Sequence, residues 1–208
     1  MDGVVIDERS FGRRLAEPGV IERCELGSPF GFMAYHSGEL EQMTDVIAAA
    51  AAHRSGGSLY AVIHPGPDPA HFPSTHVRPA ESPALAAFLD HVDVVITVHG
   101  YGRWGMFTSL LLGGRNRQLA AHIAAELAPS LPDYDLVTDL DRIPLGLRGL
   151  HADNPVNAPR QSGVQLELPP RVRGLGPKWA DWDDAGFVPP MEALVEGLAA
   201  IARRWLVA

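Results

Sequence analysis

The chain has 208 residues, 46% of them apolar and 20% charged, the balance of an ordinary globular protein able to bury a core without disulfides. Cys24 is the only cysteine, which excludes an internal disulfide and a cysteine-rich zinc module. A formal net charge of −8 argues against general nucleic-acid binding and against attraction to an anionic membrane.

The N-terminus, MDGVVIDERSFGRR, carries acids where a secretory signal carries bases, and no apolar h-region follows. No apolar run approaches the roughly 18 residues that span a bilayer. These features predict a cytoplasmic protein, with residues 1–208 forming one domain and no nucleic-acid or membrane partner. The basic residues comprise 16 arginines and the single Lys178. That bias fits codon usage in a GC-rich genome, and it also supplies planar forks suited to carboxylates.

The first 18 residues read as polar and irregular. Val20–Leu26 and Phe30–His36 read as strands around the turn Gly27-Ser28-Pro29. Leu40, Met43, Ile47 and Ala50/Ala51 fall on one face at helical spacing, which predicts a helix from Glu39 to His53 with Ser37 as its N-cap. Ser58–His64 is a short apolar strand, and Pro65–Ser74 is a proline-rich loop. Ser82–His91 reads as a helix with proline in its first turn. Val92–His99 is almost entirely β-branched, the pattern of a strand buried on both faces.

Ser109–Leu112 is a further strand, Asn116–Leu127 an amphipathic helix, and Asp135–Leu140 a weaker strand. In Gly163–Leu168 (GVQLEL), Val164, Leu166 and Leu168 face one way and Gln165 and Glu167 the other. Pro169–Pro190 reads as a long ordered loop before a final helix over residues 191–206, with Leu194, Leu198, Ile201 and Trp205 on one stripe. Strands alternating with helices predict an α/β fold: three layers, α/β/α, around a mixed, largely parallel sheet. Reactive groups in such folds gather at the carboxyl ends of strands.

Two strands end in histidine, His36 and His99, and each has a glycine close behind that lets the chain turn away. Glu39 and Glu41 follow His36 closely. A strand-end histidine with a carboxylate a few residues later can chelate a cation, and zinc accepts both ligand types while keeping a position open for water. The plainer readings are surface histidines and glutamates that favour a helix N-terminus. Spacing alone does not choose between Glu39 and Glu41.

Three blocks resemble the poly-γ-glutamate hydrolase family, relatives of the zinc carboxypeptidases. Ala34–Glu41 (AYHSGELE) is similar to the family's His-Gly-Gly-x-Ile/Leu-Glu, with Ser37 in place of a glycine. Ile96–Gly100 (ITVHG) resembles its strand ending in the last ligand, and Gly163–Leu168 its segment with the catalytic glutamate. Weaker echoes lie in His71–Ser74 (HFPS), Gly113-Gly114 and Asn154-Pro155-Val156-Asn157. The likeness spans about residues 30 to 173. It implies a zinc carboxypeptidase-like fold, Zn2+ held by His36, Glu41 and His99, and Glu167 as general base.

The resemblance implies hydrolysis of γ-glutamyl or similar amides in an acidic peptide or polymer. Bound zinc would acidify its water and polarise the carbonyl, with Glu167 moving the proton. A substrate carboxylate needs a positive partner. Arg115 and Arg171 lead the candidates, ahead of Arg103, Arg117 and Arg160. Asn154 and Asn157 are candidate amide or carboxylate contacts or turn residues, His71 a neighbour that supports a ligand or the intermediate, and His64 a reserve ligand. His53, His91 and His122 are expected in solvent, and His151 has no assigned role. Two other readings stand beside this one: a zinc deacylase of a small N-acyl amino acid or modified peptide, and a metal-free binding protein with a retired site.

Overall fold

The computed structural model of the protein describes residues 10–66, 71–182 and 186–205. Seven strands make one mixed sheet: β1 (Ile21–Glu25), β2 (Ser28–Gly38), β3 (Gly57–His64), β4 (Val94–Gly100), β5 (Ser109–Leu112), β6 (Asp135–Val137) and β7 (Gly163–Leu168), in the order β1-β3-β2-β4-β7-β5-β6. The central β3, β2, β4 and β7 run parallel, and β1 is antiparallel at one edge. At the other edge β5 runs antiparallel to β7 and parallel to β6. The helices are α1 (Phe11–Leu15), α2 (Thr44–Ser55), α3 (Pro83–His91), α4 (Arg117–Leu127) and α5 (Pro189–Trp205).

Alternation along the strands creates the layers. Phe32 and Ala34 of β2, Ile96 and Val98 of β4, and Leu166 of β7 pack with α2, α4 and α5. Met33 and Tyr35 of β2, Val95 of β4 and Tyr60 of β3 pack with α1 and α3 on the opposite face. A sheet buried on both faces selects near-continuous apolar runs such as Val94–Val98. The fold is thus the expected three-layer α/β/α arrangement.

Two details of topology position the site. The first is the reversal of strand order. From β2 the chain passes through α2 to β3, then returns through α3 on the other face to β4, so the order reverses between β2 and β4. Clefts open at the carboxyl ends of strands at such switch points. Pairing between β2 and β4 ends at Met33 and Thr97, although the strands run on to Gly38 and Gly100.

The second is a β-bulge. Ala34 pairs with Ala61 and Ser37 with Ile63, so β2 takes three steps for two along β3. The extra residue switches the face taken by the side chains beyond it. Phe32 and Ala34 face α2, yet His36 turns to the Tyr35 side and meets Phe72 edge-on with ring centroids 4.5 Å apart. The Ser37 hydroxyl then lies 2.9 Å from that of Thr44 at the start of α2.

Several boundaries differ from expectation. α2 begins at Thr44 rather than Glu39, because Met43 adopts a left-handed φ of 72° and the Thr44 hydroxyl bonds back to the Glu41 carbonyl at 2.8 Å. Leu40 and Met43 extend the apolar spacing through a turn that is not helical. Ser37 is therefore no N-cap but a buried residue of β2. α1 falls where the sequence reads as irregular, and the Ser10 side chain caps it. β6 ends at Val137 instead of Leu140, and α5 starts two residues early, at Pro189. The proline-rich loop runs into a 3-10 turn over Ser74–His76, and residues 67–70 lie outside the described residues. The long segment after β7 is irregular apart from a 3-10 turn over Pro177–Trp179, with residues 183–185 also outside them. Among the described residues no helix is long and apolar enough to cross a membrane.

Candidate metal centre

His36, Glu41 and His99 meet at the carboxyl ends of β2 and β4, with one donor atom from each within 4.8 Å of the others. Glu41 reaches in from the turn between β2 and α2. Its Oε1 lies 3.2 Å from His36 Nδ1 and its Oε2 3.1 Å from His99 Nδ1. The Gly100 N–H donates to Oε2 at 2.9 Å and fixes the carboxylate. Glu39 points elsewhere and pairs with Gln42 in solvent, so of the two glutamates only Glu41 joins the histidines.

All three groups are buried. Burial pushes the His36 imidazole down to about 4. Burial alone would raise the Glu41 carboxyl, but His99 and His36 together hold it well below the usual carboxylate range. For His99 the same contest ends the other way: burial lowers it, and the Glu41 carboxylate more than compensates. Two imidazoles and one carboxylate form the donor set of a catalytic zinc site with a position left open. His36 Nε2 is buried without a hydrogen-bond partner among the described residues. A buried carboxylate wedged between imidazole nitrogens is offset best by a cation, and the set fits one of the zinc type.

Glu167 stands beside this group. It lies on β7 opposite His99 of β4, inside the sheet between β4 and β5 rather than on an edge strand. Only 3% of it is exposed. Burial raises its carboxyl to about 7; the His99 charge opposes this and the Glu41 charge adds to it. Gln165 Nε2 donates to its Oε1 at 2.8 Å. A carboxyl tuned to neutrality and within reach of a cleft can accept and return a proton.

The cleft has a volume of about 630 Å3. His36, Glu41, His99 and Glu167 form its floor, His71 lies to one side, and Leu145, Leu147 and Leu150 form an apolar wall. His71 is half-exposed, with its Nε2 3.9 Å from Glu41 Oε1. Asn154 lines the cleft but is almost wholly buried. None of the described residues lining the cleft is an arginine or lysine.

The expected arginines are therefore elsewhere. Arg115 is exposed and its Nε donates to the Leu150 carbonyl, outside the cleft lining. Arg171 sits by Tyr134, with its own carbonyl accepting from Trp179. Arg117 ties together the carbonyls of Leu112, Gly113, Gly114 and Thr138, and Arg160 pairs with Asp93 on the surface. Asn157 holds the Gly149 and His151 carbonyls and is structural. His64 Nε2 donates to the Tyr35 carbonyl, 3.0 Å away, outside the ligand group. His53 pairs with Glu25 in solvent, His91 with the Gly27 carbonyl, and His122 stacks near Trp205.

Three residues near the centre were not anticipated as functional. Tyr35 and Gln165 neighbour the motif residues, and Gln165 shares the face of Glu167 at strand spacing, which is the signal that exposes it. Arg173 is buried; its Nη1 donates to the Gln42 carbonyl at 2.6 Å, and its guanidinium lies against Gly100, where any Cβ would come within 2.7 Å. It lies within electrostatic reach of Glu41 and Glu167. Nothing in the local pattern separates it from Arg171.

The family model described as poly-gamma-glutamate hydrolase matches residues 13–175. The chain belongs to that family. Among solved structures it is similar to a bacteriophage poly-gamma-glutamate hydrolase, with 22% identity, 90% of each chain covered and a TM-score of 0.75. It is also similar to YndL in its apo, zinc-free form, with 21% identity, 88% of each chain covered and a TM-score of 0.70. Comparison with curated proteins gave no match.

Proposed function

We propose that the protein is a zinc-dependent hydrolase of amide bonds, acting on γ-glutamyl linkages in poly-γ-glutamate or a related acidic peptide. The observation that carries this reading is the convergence of His36, Glu41 and His99 beside Glu167, a buried carboxyl raised to about 7. Membership of the poly-gamma-glutamate hydrolase family supports it.

His36, Glu41 and His99 are the residues that would hold the metal. When bound there, zinc supplies Lewis acidity that polarises the scissile carbonyl and acidifies the attacking water. The chain does the rest. Glu167 takes the proton from the water and passes it to the departing amine. Gln165 occupies Oε1 of Glu167, which leaves Oε2 for the proton. Gly100 N–H and Arg173 hold the turn that carries Glu41. Metal analysis combined with an assay on γ-glutamyl oligomers tests the proposal. One zinc per chain with release of shorter oligomers is expected; a chain that binds no zinc and cleaves no oligomer overturns it.

One observation favours a second reading. A cleft walled by leucines and lacking arginine and lysine among its described lining suits a substrate with few charges near the scissile bond. Hydrolysis of a small N-acyl amino acid or modified peptide fits that wall, and faster turnover of such a compound than of the oligomer selects it.

A further inference from the structure

Between His99 and Glu167 runs a chain of side-chain hydrogen bonds whose direction is fixed at each end by the backbone. Amide groups can usually be turned over, so their partners must decide the orientation. The Val156 N–H can only donate, and it meets Asn154 Oδ1 at 3.1 Å. Asn154 Nδ2 therefore faces Gln165 and donates to its Oε1 at 2.8 Å. Gln165 Nε2 is left to donate to the Leu147 carbonyl at 3.3 Å, which can only accept, and to Glu167 Oε1 at 2.8 Å. Turning either amide over would set donor against donor at Val156 or acceptor against acceptor at Leu147.

The same constraint reaches back to the metal ligand. Asn154 Oδ1 cannot donate, so the Tyr35 hydroxyl donates to it at 3.3 Å. That hydroxyl has one proton, now used, so it accepts from His99 Nε2 at 3.2 Å and from the neighbouring Ser74 side chain. His99 then carries its proton on Nε2. In the neutral form that a metal ligand must take, its Nδ1 lone pair is turned toward Glu41 Oε2 at 3.1 Å, so these two atoms are the donor pair that would hold a cation. Tyr35, Asn154 and Gln165 are all buried.

We infer that Tyr35, Asn154 and Gln165 act as positioning residues: one directed hydrogen-bond chain, anchored by Val156 and Leu147, presents His99 Nδ1 to the metal and reserves Glu167 Oε2 for the proton. Asn154 is on this account not a substrate contact. The inference rests on the reading of the site as a zinc centre. Ligating histidines are held in this manner by partners on their far nitrogen, and loss of such partners costs about 10- to 100-fold in metal affinity or activity.

The test separates the two ends of the chain. Zinc affinity is measured by competition with a chromophoric chelator, and kcat and KM on a γ-glutamyl oligomer at saturating zinc. Tyr35→Phe removes the His99 end and weakens zinc binding about tenfold or more. Asn154→Asp keeps the acceptor for Tyr35 but cannot donate to Gln165, and Gln165→Met removes the donor to Glu167. Both leave zinc affinity unchanged and lower kcat at least about tenfold with KM unmoved. Zinc affinity in Tyr35→Phe equal to the parent's, or a rise in KM alone in Asn154→Asp, overturns the inference while leaving the proposed function standing. Nitrogen-15 NMR of the zinc-loaded parent gives a second measurement that needs no variant: a proton on His99 Nε2 is expected, and one on Nδ1 overturns the chain. A parent protein that binds no zinc overturns both.

Discussion

His99 on β4 and Glu167 on β7 are direct partners across two parallel strands, so their side chains leave the same face of the sheet at the same height. Strand pairing, rather than a mobile loop, sets the distance between a metal-ligand candidate and the carboxyl beside it. A site built this way is stiff, and small changes in it have separable effects.

Glu167→Gln keeps the shape of the side chain and removes the proton acceptor. Zinc content is expected to stay at the parent value while kcat falls by about 10^2 to 10^4, the span that general acid–base groups contribute. Metal analysis and steady-state kinetics on the same preparation check it, and near-parent turnover refutes the role.

Glu41→Gln removes the charge of the carboxylate donor, and His99→Ala removes an imidazole donor. Both are expected to lose stoichiometric zinc yet keep a cooperative thermal transition, since the apolar core of the sheet does not include them. Chelator treatment of the parent is expected to lower its melting temperature, and zinc to restore it, because a ligand that binds only the native state stabilises it. Differential scanning fluorimetry reads both, and retained zinc in either variant counts against the assignment.

The leucine wall has an ionic signature. With no arginine or lysine lining the described cleft, attraction of an acidic substrate rests on the metal and on buried Arg173, which lies within electrostatic reach of Glu41 and Glu167. Salt screens attraction between exposed charges more than about 8 Å apart at physiological ionic strength. KM for a γ-glutamyl oligomer is therefore expected to change less than about threefold between low and physiological salt. A steep rise would show that cations outside this lining guide the substrate.

Gly38, at the end of β2, has a φ of +72°, and a Cβ there would stand 2.3 Å from the His64 carbonyl oxygen. Left-handed backbone costs a residue with a side chain about 1–2 kcal/mol even without a clash. Gly38→Ala is expected to destabilise the protein by at least that amount in urea titrations and to lower zinc affinity by shifting the turn that carries Glu41. Equal midpoints for variant and parent would contradict it.

Much of the architecture could be read from the sequence because buried parallel strands announce themselves as apolar runs, as Val94–Val98 does, and strand-end histidines stand out against them. Glu167 was visible through the alternation of GVQLEL. Local pattern fails where long-range contacts decide. The turn at Met43 interrupts a helical spacing that looks continuous from Leu40 to Ile47, because Glu41 is drawn toward Gly100, 59 positions away. Arg173 rather than Arg171 lies near the centre because of how the chain folds back after β7, which no periodicity encodes. Tyr35 lies within an apolar strand run, and only the partners of its hydroxyl, Asn154, His99 and Ser74, mark it as something more.

The extra residue between Ala34 and Ser37 has a consequence for the tolerance of this strand to insertion and deletion. Removing Tyr35 there would restore regular alternation and leave the imidazole of position 36 on its present face, but it would empty the place that the Tyr35 ring fills in the layer under α1 and α3. The irregularity is thus what lets two successive aromatic side chains enter one layer, Tyr35 as core and His36 as a ligand candidate, and a strictly alternating strand would deliver only one of them.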